Sequence, residues 1–491
     1  MRGILLLIIC SAFLQAMPAA AQTAASDLRG ARDPQDPLSA EDAEGAAEQN
    51  PTRNPTQADI YPLRGTLNSA EAETGSTGLG TNGRAQSVRP FSDRLAAVNR
   101  AVPLPETLVD TTVFDGDTSF DAAEGIRLGS FTLTPQLTLS SGWTDNTSQS
   151  ANGTSGGFYR LSPDVALTSG WSRHQLDMSL RGSYTGYPDS PDDDDTSVAA
   201  AANLRLDISE ATQMNGGLAY AYSREDDGSA ESSSGTDHVQ TLSGSLGATR
   251  AIGLVAATAS VGADRNIYTS DGGSGGSTES GRDNTLYSTS LRLDGNAGGV
   301  LSPFVEGSLL LRRYDQSCSD SLCEKRDANG YQLRGGLTVA SGPKITGELG
   351  AGWRIEDIED SRLDNLSGLV VDGSLVWSPS RLTTVTAGLG TSFEATDING
   401  ASGSIIYSGD IRLAHAFSDR FVAESGFGYS YRTYQGVSIE ESTLTGFSGL
   451  TFALTRNVAL TADYTHRRFD SSQAGSDYSE NAVEAGLRFR H

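Results

Sequence analysis

From Ser130 to Phe489 the chain places an apolar side chain at every second position, segment after segment. In residues 130–143, Phe131, Leu133, Leu137, Leu139 and Trp143 fall on one face, and Thr132, Thr134, Gln136, Thr138 and Ser140 on the other. Near the end, Val458, Leu460, Ala462 and Tyr464 alternate with Asn457, Thr461, Asp463 and Thr465, and Val483, Ala485, Leu487 and Phe489 alternate with Glu484, Gly486 and Arg488. Period two predicts strands with one apolar and one polar face; a helix would scatter these residues around its circumference. Short connections (169–175, 207–213, 248–253, 294–303, 340–344, 377–381, 416–420, 454–457) alternate with long ones near 144–157, 187–197, 224–237, 265–284, 314–329, 356–367, 394–404, 433–442 and 469–479. That rhythm predicts an all-β fold: a transmembrane antiparallel up-and-down β-barrel of about 18 strands, with 16 to 20 compatible with the pattern. Pro135 and Pro163 fall inside predicted strands and each removes a ladder donor, so a bulge or bend is expected there.

No later stretch approaches the roughly 20 consecutive apolar residues of a membrane helix, and mean hydropathy is −0.32. A barrel needs neither, because half of each strand is polar and a span takes only about 9–11 residues. A soluble propeller or sandwich would use shorter strands, of about 5–6 residues. The N-terminus has the parts of a secretory signal: Arg2, the apolar run from Ile4 to Leu14, and Ala19-Ala20-Ala21 before Gln22. The expected organisation is a signal peptide over 1–21, a disordered periplasmic tether over 22–125, and a barrel over 126–491 in the Gram-negative outer membrane. The tether and the C-terminus would both be periplasmic. The tether is rich in Ala, Asp, Glu, Pro and Gly and buries too little apolar surface to offset chain entropy. A short helix over 91–102, capped by Ser92, is the one element it suggests.

A formal charge of −25 excludes a nucleic-acid partner, which calls for a basic face. Much of the acid sits in long connections, in PDDDDT (191–196), REDDGSAES (224–232) and EDIEDSRLD (356–364), and reads as solvated loop surface. Two cysteines follow the signal, Cys318 and Cys323 in CSDSLC; a local disulfide suits an oxidising compartment, whereas metal binding would want ligands that the neighbouring sequence lacks. The five histidines, His174, His238, His415, His466 and His491, stand without an accompanying acid/base or nucleophile motif. No catalytic, metal or cofactor site is therefore expected, and the protein is read as not an enzyme.

The residues Gly125-Ile126-Arg127-Leu128-Gly129-Ser130-Phe131 entering the first strand, and Trp143-Thr144-Asp145-Asn146 leaving it, resemble the opening signature of the putative β-barrel porin family, second type, of alphaproteobacteria. The resemblance of architecture covers residues 124–491. It implies an outer-membrane barrel, a porin, in some relatives linked to surface-polysaccharide loci, with no catalytic residues to transfer. The C-terminal strand resembles the one read by the barrel-assembly machinery, with Gly486, Leu487 and Phe489 in alternation, but ends in Arg490-His491.

With the apolar face outward, the candidate lumen-lining residues are Arg160, Arg181, Arg205, Arg292, Glu306, Arg312, Arg334, Glu348, Arg354, Arg412, Glu424, Arg432, Asp463, Arg467 and Arg488, joined by Asp164, Asp177, Asp207 and Glu484. Interleaved charges in a wide barrel either shape the field that a solute crosses or pair across neighbouring strands. The expected function is passive diffusion of small hydrophilic solutes or ions; the alternative is a non-conducting accessory barrel for surface-polysaccharide export, assembly or adhesion. Expected partners are outer-membrane lipids and lipopolysaccharide, the barrel-assembly machinery, small hydrophilic solutes, and a periplasmic or polysaccharide partner reached through residues 22–125. The loop 265–284, rich in Gly and Ser, is expected to be flexible rather than a rigid constriction.

Overall fold

The computed structural model describes residues 125–491, apart from 210, 227, 233–236, 273–275, 280, 296–299, 317–321, 342–344 and 381. The expected signal peptide, nearly all of the tether and its helix over 91–102 lie outside the described residues, as does Cys318.

Twenty strands follow one another: β1 (Ile126–Leu128), β2 (Phe131–Thr144), β3 (Gly156–Ser169), β4 (His174–Gly186), β5 (Asp195–Ser209), β6 (Thr212–Arg224), β7 (His238–Ile252), β8 (Val255–Gly272), β9 (Gly276–Glu279), β10 (Asn284–Gly295), β11 (Leu301–Tyr314), β12 (Ala328–Ser341), β13 (Ile345–Ile358), β14 (Leu366–Ser380), β15 (Thr383–Glu394), β16 (Gly403–Ala416), β17 (Phe421–Gln435), β18 (Glu440–Ala453), β19 (Val458–Ser471) and β20 (Tyr478–Arg490). Each long strand pairs antiparallel with its sequence neighbours, and β20 returns to β2 from Gln136↔Arg490 to Thr144↔Ala482. The result is a closed 18-strand barrel, because β1 and β9 are short flaps: β1 folds back on β2, and β9 on the end of β8. Every barrel strand is thus paired on both sides, as a lipid environment requires, though the β14–β15 ladder covers only part of its seam.

Period two sorts the side chains as the hydropathy pattern predicts. Leu246, Leu309 and Leu333 stand 64–66% exposed on the outer face, with Trp143, Tyr159, Trp353, Trp377, Tyr429 and Tyr464 among the exposed aromatics. Arg292, Arg312 and Glu356, on the opposite parity, are at most 3% exposed. The interior is thus built largely from charge and hydroxyl groups rather than from one apolar core; among the described residues the largest buried apolar cluster is Leu366, Val370, Phe393 and Ile405, with smaller ones at Phe158, Tyr187 and Ala482 and at Ala219 and Ala221.

Two expectations need correction. Neither proline produces a bulge: the β2–β3 register runs unbroken through Pro135↔Val165, and the β3–β4 register is the same on both sides of Pro163, where rungs are simply missing between Leu161↔Tyr184 and Asp164↔Arg181. Register shifts occur instead at Asp207/Ser209 and Trp377/Ser380, next to the short-turn end. The connection 265–284 is also not all loop, since β8 runs to Gly272 and pairs with β9 in a hairpin beyond the barrel wall.

Candidate functional site: a charged inner face beneath an infolded loop

The candidate lining residues lie on the inner parity of their strands, and most of them are ion-paired. At the level nearer the short turns, Arg292 bonds Asp294 at 2.6 Å and Glu348 at 2.7 Å while lying 3.7 Å above the Phe304 ring. Arg334 reaches Glu306 at 3.1 Å and also pairs with Asp372. Nearer the long loops, Glu356 accepts from Arg312 at 3.0 Å and from Arg354. Arg160 bonds Glu484 at 2.8 Å, and Arg432 bonds Glu394 at 2.6 Å. Arg181 faces Asp164 at 3.6 Å and Arg205 faces Asp207 at 3.5 Å, both more open to solvent. Arg412 sits 5.4 Å from the Phe447 ring, and Glu424, Asp463 and Arg488 take inner positions on β17, β19 and β20. Cross-strand pairing thus accounts for much of this charge, as antiparallel neighbours at close spacing allow.

The inner face of β6 and β7 is different. Its positions carry Gln213, Ala219, Ala221, Ser223, Thr241, Ser243 and Thr249, all uncharged and buried. The barrel interior therefore has a neutral strip on β6 and β7 beside an otherwise ion-paired wall.

Across the long-loop end runs the connection between β6 and β7. Asp226 accepts from the Tyr478 hydroxyl at 3.0 Å and pairs with Arg467, although β20, β2, β3, β4 and β5 stand between β6 and β19. The Ala230 amide donates to Glu441 of β18 at 2.6 Å, and Arg432 reaches the Ser229 hydroxyl at 3.4 Å. Glu225 takes a bidentate pair from Arg282 at 2.9 and 3.0 Å, and Glu231 lies 3.4 Å from the same guanidinium. Burial pushes the Glu231 carboxyl up to about 7; Arg282 opposes the rise, and Glu225 and Asp397 add to it. The loop is therefore folded inward and latched to the far wall.

These contacts correct part of the reading of the acidic connections as solvated surface, although Asp357, Glu359 and Asp364 are exposed as that reading expects. Glu225, Asp226 and Glu231 are latch residues; Asp193 accepts from Thr147 at 2.6 Å, Asp194 accepts from the Tyr184 hydroxyl at 2.7 Å, and Glu356 is fully buried. Arg282 and Arg326 are site residues that strand periodicity misses because both sit in connections; Arg326 donates to the Ala401 and Ile398 carbonyls at 2.9 and 2.8 Å, tying two rim loops together.

The family model described as "Putative beta-barrel porin 2" matches residues 119–491. The chain belongs to that family. It is an outer-membrane β-barrel of that family, and no curated protein matches its sequence. Among solved structures it is similar to the siderophore receptor PirA of Pseudomonas aeruginosa (10% identity, 73% of this chain and 80% of that one, TM-score 0.34). It is also similar to the copper transporter OprC (11%, 75% and 81%, 0.40) and to the siderophore receptor PiuA of Acinetobacter baumannii (10%, 75% and 82%, 0.38). Likenesses of this size carry nothing about function.

The signature at the start of this porin-2 barrel has a physical role. Gly129 takes left-handed φ, at 64°, in the two-residue turn that folds β1 back onto β2; Gly125, just before β1, is left-handed too, at 72°, and a Cβ there would meet Thr132 Cγ2 at 2.7 Å. At the exit, Asp145 accepts from the Asn481 backbone amide at 2.6 Å and from its Nδ2 at 2.7 Å, Asn146 Nδ2 donates to the Ser479 carbonyl at 3.2 Å, and Thr144 bonds Glu480 at 2.9 Å. The Thr-Asp-Asn run is a clasp that continues the closing β2–β20 seam past its last rung.

Proposed function

We propose that the barrel is a porin-like channel for passive diffusion of small hydrophilic solutes or ions, with the long-loop end facing the cell exterior and both barrel termini periplasmic. The observation that carries this reading is an inner face that is polar or charged on strand after strand in a closed barrel of 18 strands, a width at which the interior holds water rather than being filled by side chains alone. Ion pairing leaves little unbalanced charge on the wall, so selectivity falls to the latched β6–β7 loop, which narrows the mouth between Arg282, Arg432 and Arg467. In this reading the candidate lining residues border the path. A Cys318–Cys323 disulfide, removal of residues 1–21 on export and assembly by the barrel-assembly machinery complete it.

The same latch favours a second reading, a non-conducting accessory barrel for surface-polysaccharide work, acting through residues 22–125. Single-channel conductance in planar bilayers under a salt gradient separates the two. Steady conductance altered by Arg467→Gln supports the channel; a folded, heat-modifiable barrel that stays silent with and without the latch supports the accessory role.

A further inference from the structure

The wall is not uniform. Between β14 and β15 the ladder holds six rungs, Gly373↔Leu389 to Trp377↔Val385 plus Ser380↔Thr383, against nine at the closing β2–β20 seam and eight at the Pro163-interrupted β3–β4 pair. The next two rungs would join Asp372 to Gly390 and Val371 to Thr391. Instead the Thr391 hydroxyl accepts from the Val371 amide and donates to the Val371 carbonyl, both at 3.0 Å, so one side chain stands in for a backbone pair.

Beyond that point the sheet overlaps itself. Leu366 and Val370 have the inner parity of β14, on which Asp372 meets Arg334, whereas Phe393 and Ile405 share the outer parity of the exposed Leu389 and Ile411. The four nevertheless pack together with Tyr407, and a Cβ on Gly368 would meet Ile405 Cδ1 at 2.7 Å. The inner face of β14 therefore lies against the outer face of β15 and β16. On the barrel side of the overlap, Arg354 lies 4.6 Å from the Phe393 ring and Arg312 donates to the Phe393 carbonyl at 2.7 Å. Buried there too are the Ser392 and Ser404 hydroxyls, 7% and 1% exposed, each an oxygen with no hydrogen-bond partner among the described residues.

We infer that this overlap is a lateral portal between the barrel interior and one membrane leaflet, and that it admits a single-chain amphiphile with an anionic head. In lipid, apolar side chains gain nothing by packing on each other rather than on an acyl chain, so a joint held by four apolar residues and one hydroxyl is one a chain can enter. An ordinary seam would leave a row of unpaired amides and carbonyls in hydrocarbon. Residues 366–372 span about 20 Å at about 3.3 Å per residue, which at a tilt of about 45° covers about one leaflet. A head group passing the joint would meet Arg354, Arg312, Ser392 and Ser404. The portal rests on the wall alone, and only the choice of the outer leaflet rests on the orientation proposed above.

The test is photolabelling of the full chain in lipid nanodiscs with a diazirine analogue of palmitic acid, with adducts mapped by mass spectrometry. Adducts are expected on the inner-parity residues Leu366, Val370 and Ser392, severalfold more in Thr391→Val, and absent when Val370→Cys and Phe393→Cys are joined by a short bismaleimide. Adducts confined to outward Leu369 and Leu389 in wild type and Thr391→Val alike would overturn the portal, as would undiminished inner labelling in the cross-linked form. Ion conductance of the same samples reports on the central path separately, so failure of the channel reading and failure of the portal give different results.

Discussion

Glu231 makes the latch sensitive to pH, and the sign follows from its burial. In the docked loop its carboxyl sits at about 7, because burial outweighs the pull of Arg282; released into water it returns to about 4.5. Protonated Glu231 therefore favours docking. The contribution is complete below about pH 4.5, fades as pH rises and is gone above about 7. At about 1.4 kcal/mol per tenfold change in proton affinity this amounts to about 3 kcal/mol, or roughly a hundredfold in the docked-to-released ratio. The charged or titratable groups around Glu231 are Arg282, Glu225, Asp397, Tyr314 and Tyr434. Ser229, two residues away and 7% exposed, reports on release: as Ser229→Cys it should react with a charged thiol reagent much faster at pH 8 than at pH 5, after correction for thiolate fraction. Adding Glu231→Gln should slow labelling at pH 8 to near the acid rate and flatten the profile. A profile already flat with Glu231 present, or one that Glu231→Gln leaves unchanged, refutes the argument.

Three further outcomes follow from the wall and its seam. Glu356→Ala leaves the buried Arg312 and Arg354 without their shared carboxylate and should cost about 3–5 kcal/mol in urea refolding from detergent; a loss below about 1 kcal/mol would mean that water replaces the acceptor. Asp145→Ala removes both bonds to Asn481 and should lower the temperature of the heat-modifiability shift, for a loss of about 1–3 kcal/mol, whereas Asp189→Ala, away from the clasp, should not. Leu375→Arg on the lipid face should cost about 2–4 kcal/mol, while Ser260→Arg on the inner face should change conductance with little folding loss; equal folding losses at the two sites would contradict the face assignment.

Strand number, pairing and face were legible because lipid imposes a single rule on the outer face. A residue such as Leu309 or Leu333 must be apolar there, and its neighbours at one step, Ser308 and Arg334, are free to be polar. Pro163 shows the limit of that rule. A missing amide predicts a disturbed ladder but not its form, and the chain resolves it by omitting rungs on the β4 side, where a Cβ on Gly182 would sit 3.2 Å from the ring. The β14–β15 overlap was hidden for a related reason: Leu366, Val370, Phe393 and Ile405 all obey alternation within their own strands, and only the stopping point of the ladder puts opposite faces in contact.

The site divides along the same line. Strand charges such as Arg292 and Glu348 could be placed on the inner face from parity, though not paired, since they lie 56 residues apart in sequence and meet only through the register. Loop charges have no parity to read. In REDDGSAES the acids look solvated because the segment sets a single cation, Arg224, against four carboxylates, and the cations that claim them, Arg282 and Arg467, come from a distant connection and from the far wall. Two ion pairs, Glu225–Arg282 and Asp226–Arg467, hold the loop to other parts of the mouth, so the ionic cost of folding it outward is shared between them. Removing one pair leaves the other to hold it. Two substitutions from different anchor points, Arg467→Gln with Arg282→Gln, should therefore release the loop by more than the sum of the single effects, and additivity would show that the anchors act alone.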